Sequence, residues 1–186
     1  PLFTEQGEAL FTHFGLSGPL VLSASTYIDD LAGHEWVCEF DLKPALDEKT
    51  LYDRLTRDFA ALGGHSAQGA LEKLLPHSMR PVAVEKWGVD PATRAAQITR
   101  EQKQALVRLC KHWPVPVTAL GDREHAVITA GGVDVREVDP RTMESKLCPG
   151  LYFAGEVLDV DARTGGYNLQ IAWSTAQAAA RAAAGM

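Results

Sequence analysis

Long apolar runs are missing from this chain. No stretch approaches the roughly 18 residues that carry a helix across a bilayer, and no basic segment followed by an apolar one marks a secretory leader. Neither membrane association nor export is therefore expected. Basic charge is also scarce, with 18 Lys and Arg against 24 Asp and Glu and a formal net charge of −6. The positive field that grips phosphates by counterion release has no evident source, so no nucleic-acid partner is expected. Cysteine is sparse too. Cys38, Cys110 and Cys148 lie far apart, without a CxxC pair or a histidine at ligand spacing, which argues against a zinc motif and fits a reduced, cytoplasmic setting. No P-loop, G-x-G-x-x-G or Ser-His-Asp arrangement occurs. The chain opens on Pro1 rather than Met, as an excised or processed fragment does.

What is present suffices for folding. With 186 residues, 46% of them hydrophobic, one or two compact units are expected. Gly15 and Ser17-Gly18-Pro19 punctuate the start of a short helix through Leu20 to Leu22. Between Glu35 and Leu42, Trp36, Cys38, Phe40 and Leu42 alternate with charged residues, the mark of a strand with one wet face. Lys43-Pro44 ends it. Asp47 then caps a helix striped by Leu51, Leu55, Phe59 and Leu62, stopped by Gly63-Gly64. Ser66 opens a second helix and Met79 to Trp87 form a third, closed by Gly88. Thr99 and Gln102 make a capping box for a helix ending near Trp113-Pro114. Beyond Pro116, Val127-Ile128 read as a short β run and Leu151 to Ala154 as a buried strand. An alanine-rich helix from about Asn168 to Ala184 completes the chain.

Three glycine-bearing segments could carry chemistry. The segment Leu151-Tyr152-Phe153-Ala154-Gly155-Glu156 ends an apolar run on a glycine, where a ligand can approach main chain, followed by a carboxylate able to accept from hydroxyls. A plain turn with a solvated glutamate is the alternative. Thr164-Gly165-Gly166-Tyr167-Asn168-Leu169 opens the last helix, whose unpaired N–H groups and positive dipole end suit an anionic or electron-rich group; a flexible turn capped by Asn168 is the alternative. Thr129-Ala130-Gly131-Gly132 offers a second glycine pair to a flat ligand or an ordinary turn, with Glu144 and Lys146 of the following Thr142 to Lys146 stretch as surface charges. Histidine is the residue type suited to acid–base work near neutrality, and His13 is the candidate for it, or a structural histidine.

In this order, LFTHFGLSGP (10–19), ITAGGV (128–133), TMESK (142–146), GLYFAGEVLD (150–159) and TGGYNLQIAW (164–173) resemble a bacterial family of NAD(P)/FAD-dependent oxidoreductases of the aminoacetone oxidase and bile-acid 7-dehydroxylation flavin reductase type. The resemblance covers essentially the whole chain. It implies an α+β or α/β fold: the C-terminal part of a two-dinucleotide-binding-type FAD domain (119–186), the end of a β-rich inserted domain (1–45) and a small helical subdomain (46–118). It places Glu156 where a ribityl hydroxyl is held and Gly166, Tyr167 and Asn168 where backbone reaches the flavin ring, with Gly155, Gly165 and Leu169 as further cofactor-binding residues. Thr129, Gly131 and Gly132 fall near the ring's other side.

The implied function is that of an FAD-dependent oxidoreductase with a small-molecule substrate and NAD(P)H as possible donor. This segment supplies the isoalloxazine and ribityl side of the site. A G-x-G-x-x-G βαβ unit, which a full member uses for the FAD pyrophosphate, is not in the sequence. The partner implied is thus a missing N-terminal FAD-binding segment, and the chain alone is expected to hold FAD weakly and be inactive. The competing reading is a non-catalytic domain that acts as a scaffold or partner-binding module.

Overall fold

A computed structural model describes residues 1–28 and 31–185. They form two compact units: residues 1–33 with 119–186, and residues 34–118.

The 34–118 unit is a helical cluster on a two-stranded ribbon. Strand β3 (Trp36–Phe40) pairs antiparallel with β4 (Trp113–Val117), Cys38 opposite Val115. Prolines 114 and 116 alternate on the exposed positions of β4. In an antiparallel pair every second residue turns its N–H away from the partner, so two prolines at that spacing cost the ladder nothing. Helix α2 (Glu48–Ala61) starts where the Asp47 carboxylate accepts the Thr50 N–H at 2.6 Å, and it buries Leu51, Leu55 and Phe59. Helix α3 (Ala67–Ala70) is capped by Ser66, α4 (Met79–Trp87) ends on left-handed Gly88, and α5 (Arg100–Lys111) carries the Thr99/Gln102 capping box.

These elements close around Leu71, Leu106, Cys110 and Trp113, with Phe59 stacked on Trp87 at 6.0 Å. Each fully buried leucine or phenylalanine contributes about 1.5–3 kcal/mol. Lys111 finishes α5 by pairing with Asp41 at 2.5 Å and donating to the carbonyls of Leu46 and Lys43. The four capped helices expected from periodicity are present.

The other unit is built differently. A small hairpin, β1 (Leu10–Phe11) with β2 (Leu16–Ser17), leads into α1 (Pro19–Ser25). Irregular chain and short 3₁₀ turns follow until α6 (Tyr167–Ala183). Its core comprises Val138, Met143 and Leu158, with Phe153, Ala178 and Ala179 packed against them.

Two strands expected here are absent. Leu151 to Ala154 is not a buried strand: Tyr152 makes a single antiparallel bridge to Glu144, and Leu151 is exposed. The Val127-Ile128 run is not a strand either, and Val127 is 66% exposed. A β run becomes a strand only beside a partner. The 151–153 stretch finds one in 143–145, through Ser145 N–H to Leu151 C=O (2.7 Å) and Phe153 N–H to Met143 C=O (3.0 Å). Val133 and Leu158 form a parallel bridge. Among the described residues no helix is long and apolar enough to cross a membrane.

Candidate functional site

A cavity of about 740 Å³ opens in the unit that contains α6. Its walls come from the end of α1, from Ala126 to Ile128, from the turn at Gly155-Glu156 and from the 160–169 loop that enters α6.

That loop is fixed by polar side chains. Asn168 closes a reciprocal amide pair with Ala162, Oδ1 accepting from its N–H and Nδ2 donating to its C=O, both at 2.8 Å. Thr164 meets Ser23 of α1 at 3.3 Å, and Arg163 pairs with Glu5. Gly165 and Gly166 then turn the chain at φ 117° and 93°, values that disfavour a side chain. A Cβ at Gly166 would meet nothing within 4 Å, so the space over it is open.

Immediately beyond, α6 begins without a side-chain cap and without an acidic residue in its first turn. Its first intrahelical bond runs from Gln170 N–H to Gly166 C=O. The amides of Tyr167, Asn168 and Leu169 consequently have no intrahelical acceptor and carry the positive end of the helix dipole.

Opposite charge is set nearby. Glu156 lies in a 3₁₀ turn, Gly155–Val157, rather than at a strand end. One of its carboxylate oxygens accepts the Thr129 N–H at 2.7 Å and the Thr129 hydroxyl at 3.0 Å. Those two bonds, the backbone one first, hold its pKa below the usual glutamate range. The second oxygen has no donor among the described residues and is available to a ligand hydroxyl. Gly155 fits at φ 76° against α6, where an added Cβ would lie 3.7 Å from that of Ala172; its N–H donates to Thr175 Oγ1.

Of the residues singled out from sequence, Gly155, Glu156, Gly165, Gly166, Asn168 and Leu169 share the cavity wall, and Thr129 joins them through Glu156. Gly131, Gly132, Tyr167 and His13 do not line it. His13 sits in the β1–β2 turn with its ring edge-on to Phe14. Gly132 is explained by main-chain packing: a Cβ there would lie 2.5 Å from the Val157 carbonyl oxygen. The expected surface charges Glu144 and Lys146 bond to the Gly150 N–H and the Arg136 carbonyl.

Sequence reasoning missed Asp161, a wall carboxylate, and the polar end of α1 with Ser23, Ser25, Thr26 and Tyr27. Ser23 did carry a signal. A serine inside an apolar helical run, once buried, needs a hydrogen-bonding partner, and Thr164 supplies it.

Comparison with known proteins covers both units. The profile of the family described as HI0933-like protein Rossmann domain matches residues 20–182. The chain is 38% identical over 172 residues to the ribosomal RNA dihydrouridine synthase of Escherichia coli, covering 92% of this chain and 41% of that protein. The Haemophilus influenzae protein of the same name is 34% identical over 173 residues, 93% and 41% of the two chains. The 3-dehydro-bile acid delta(4,6)-reductase of Clostridium scindens is 31% identical over 185 residues, 98% and 45%. The chain thus spans less than half the length of the curated relatives it matches.

Proposed function

Because the chain belongs to the HI0933-like Rossmann-domain family, a flavoprotein oxidoreductase family, we propose that it forms the isoalloxazine and ribityl side of an FAD site in a reductase. The carrying observation is the junction at Gly166, where open space over a side-chain-free turn meets three helix amides without intrahelical acceptors.

The residues fit the group in size and polarity. A cavity of about 740 Å³ is in the range of small-molecule sites, which bury a flat ring on a few placed polar groups. In this reading the amides of Tyr167 to Leu169 stabilise the electron-rich pyrimidine edge. The free oxygen of Glu156 accepts from a ribityl hydroxyl, and Thr129 keeps that carboxylate ionised and oriented. Gly166 keeps a side chain away from the ring, and Gly155 lets the turn that carries Glu156 pack against α6. Bound FAD supplies hydride transfer, with NAD(P)H as the proposed donor. The pyrophosphate-binding half is assigned to a segment outside these 186 residues, in keeping with the length of the relatives.

Two relatives are named for forming dihydrouridine in ribosomal RNA and one for reducing a bile acid. Both names describe addition of hydrogen across carbon–carbon double bonds of a ring. The proposed reaction is therefore reduction of an unsaturated ring.

The test uses Gly166→Leu in the intact protein, which fills the open space directly. Flavin absorbance after desalting is expected to fall at least tenfold while far-ultraviolet circular dichroism keeps its helical signal. A folded variant that retains stoichiometric flavin overturns the reading.

A further inference from the structure

A second concavity, of about 360 Å³, lies where the 141–142 turn faces the C-terminal half of α6. Its lining includes Arg141, Thr142, Ser174, Gln177 and Arg181. No Asp or Glu belongs to it, in a chain whose acids outnumber its bases.

Neither guanidinium is engaged by a carboxylate. Arg136, Arg54 and Arg163 each pair with one, but among the described residues Arg141 and Arg181 do not. Asp139, the carboxylate beside Arg141, accepts that residue's backbone N–H at 2.8 Å. Arg181 lies in the last turn of α6, where the carbonyls of Ala180 and Ala182 accept from the amides of Ala184 and Gly185.

The hydroxyls are poised the same way. Ser174 Oγ accepts from Gln170 Nε2 at 3.0 Å and Thr142 Oγ1 accepts from the Glu144 N–H. Each hydroxyl proton therefore remains to be donated. Two arginines, two hydroxyl side chains and Gln177 line this one hollow, with no carboxylate among them. Both arginines are exposed, so their guanidiniums are hydrated and free to turn toward a ligand. Sharing one hollow without an acid, they suit a tetrahedral oxyanion, since arginine matches phosphate oxygens with paired N–H groups.

We infer that this hollow is a phosphate-binding site, taking a phosphate mono- or diester carried by a nucleotide or a nucleic-acid strand. Its placement suits an extended ligand. Gln170, Ser174, Gln177 and Arg181 recur at helical spacing and form one polar stripe on α6. The stripe runs from the turn that borders the larger cavity to the hollow, 11 residues or roughly 16 Å along the axis. The inference stands on these donors and does not depend on the flavin reading.

The experiment compares the intact protein with its Arg141→Gln/Arg181→Gln variant, using two probes without turnover. The first is a fluorescein-labelled single-stranded oligoribonucleotide, followed by anisotropy across a salt series. The second pairs NADPH with NADH, which lacks the 2′-phosphate, followed by calorimetry. If a strand is the source, the double variant binds RNA at least tenfold more weakly, and the slope of log K against log salt falls by about 0.7 for each phosphate that is no longer neutralised. If a nucleotide is the source, NADPH weakens about tenfold and NADH is unchanged.

Affinities within twofold of the parent for both probes, or no measurable binding of either probe to the parent, overturn the inference. Should the Gln pair lose its native melting transition, Arg141→Lys/Arg181→Lys enters the same titrations. It keeps the charge but not the fork, and is expected to lose about threefold; affinities within twofold of the parent then overturn the inference equally.

Discussion

Thr129 and Glu156, 27 residues apart, are joined by two hydrogen bonds to one carboxylate oxygen, from the Thr129 backbone N–H at 2.7 Å and from its hydroxyl at 3.0 Å. The pair fastens the 126–129 segment to the Gly155 turn, and so holds two walls of the larger cavity together. It also leaves the other oxygen of Glu156 free for a ligand.

The first prediction follows from that pairing. Both bonds favour the ionised carboxylate, so the Glu156 pKa lies below the ordinary 4.5. A depressed folded-state value means that the ionised group favours the closed loop at all pH above about 4.5. This contribution disappears as pH falls through the depressed value. In a carboxyl titration followed by NMR, Thr129→Val should move Glu156 back toward 4.5, because the hydroxyl bond is gone and the backbone bond remains. An identical titration in both proteins would mean that the hydroxyl does not reach the carboxylate.

Two adjacent glycines are expected to behave differently on substitution. At Gly132 an added Cβ would lie 2.5 Å from the Val157 oxygen and 2.9 Å from the Leu158 carbonyl carbon, both main chain. Neither can yield without breaking the Val133–Val157 and Asp159–Val133 bonds. At Gly131 nothing lies within 4 Å and only the positive φ of 90° resists a side chain. Gly132→Ala should therefore cost about 2–3 kcal/mol and Gly131→Ala about 1 kcal/mol in denaturant unfolding. Equal costs would show that the close approach is not what selects glycine at 132.

The helical unit was legible because its rules are local. Asp47, Ser66, Thr99 and Gly88 each act within four residues of themselves, and the Leu51, Leu55, Phe59 stripe needs only the helix period. The glycine turn of the candidate site was partly legible for the same reason, since Gly165-Gly166 and the start of α6 are contiguous. Strand pairing is not local. Leu151 to Ala154 has the composition of a buried strand, but its partner had to come from elsewhere, and what it meets is the short 143–145 stretch. The Thr129–Glu156 and Ser23–Thr164 contacts span 27 and 141 residues, distances over which a single sequence carries no pairing signal. Net charge is no guide to placement either. A balance of −6 averages over the chain and does not say that Arg141 and Arg181 line one hollow.

The three cysteines should separate by reactivity. Burial pushes the Cys110 thiol up to about 11, well away from the thiolate form at neutral pH. Cys38 is raised for the same reason to a lesser degree, whereas Cys148 is exposed. Because the thiolate is the nucleophile, labelling of the folded chain with an aromatic disulfide at pH 8 should modify Cys148 first, Cys38 slowly and Cys110 only on unfolding. Peptide mapping that finds Cys110 labelled alongside Cys148 would contradict the packing around α5.

Burial is divided unevenly between the two units, and this gives the last prediction. All the fully buried large side chains belong to the 34–118 unit, among them Phe59, Leu51, Leu71 and Leu106. The large exposed hydrophobics are, apart from Val37 and Val82, all in the other unit, with Leu169 and Trp173 on α6 itself. Helix α6 buries no residue fully. A segment with few buried apolar contacts opens at low free-energy cost whatever its helix propensity. In hydrogen exchange of this chain, amides at the centres of α2 and α5 should be the slowest, and those of α6 faster by about 2 kcal/mol or more in opening free energy. The intact protein supplies the decisive comparison. If the α6 turn holds FAD, cofactor at about 100 times its Kd adds roughly 2.7 kcal/mol to any opening that breaks the site. Exchange at Gly155, Gly166 and Leu169 should then slow by about a hundredfold, with α2 and α5 unchanged. Slowing confined to α2 and α5 would place the cofactor elsewhere.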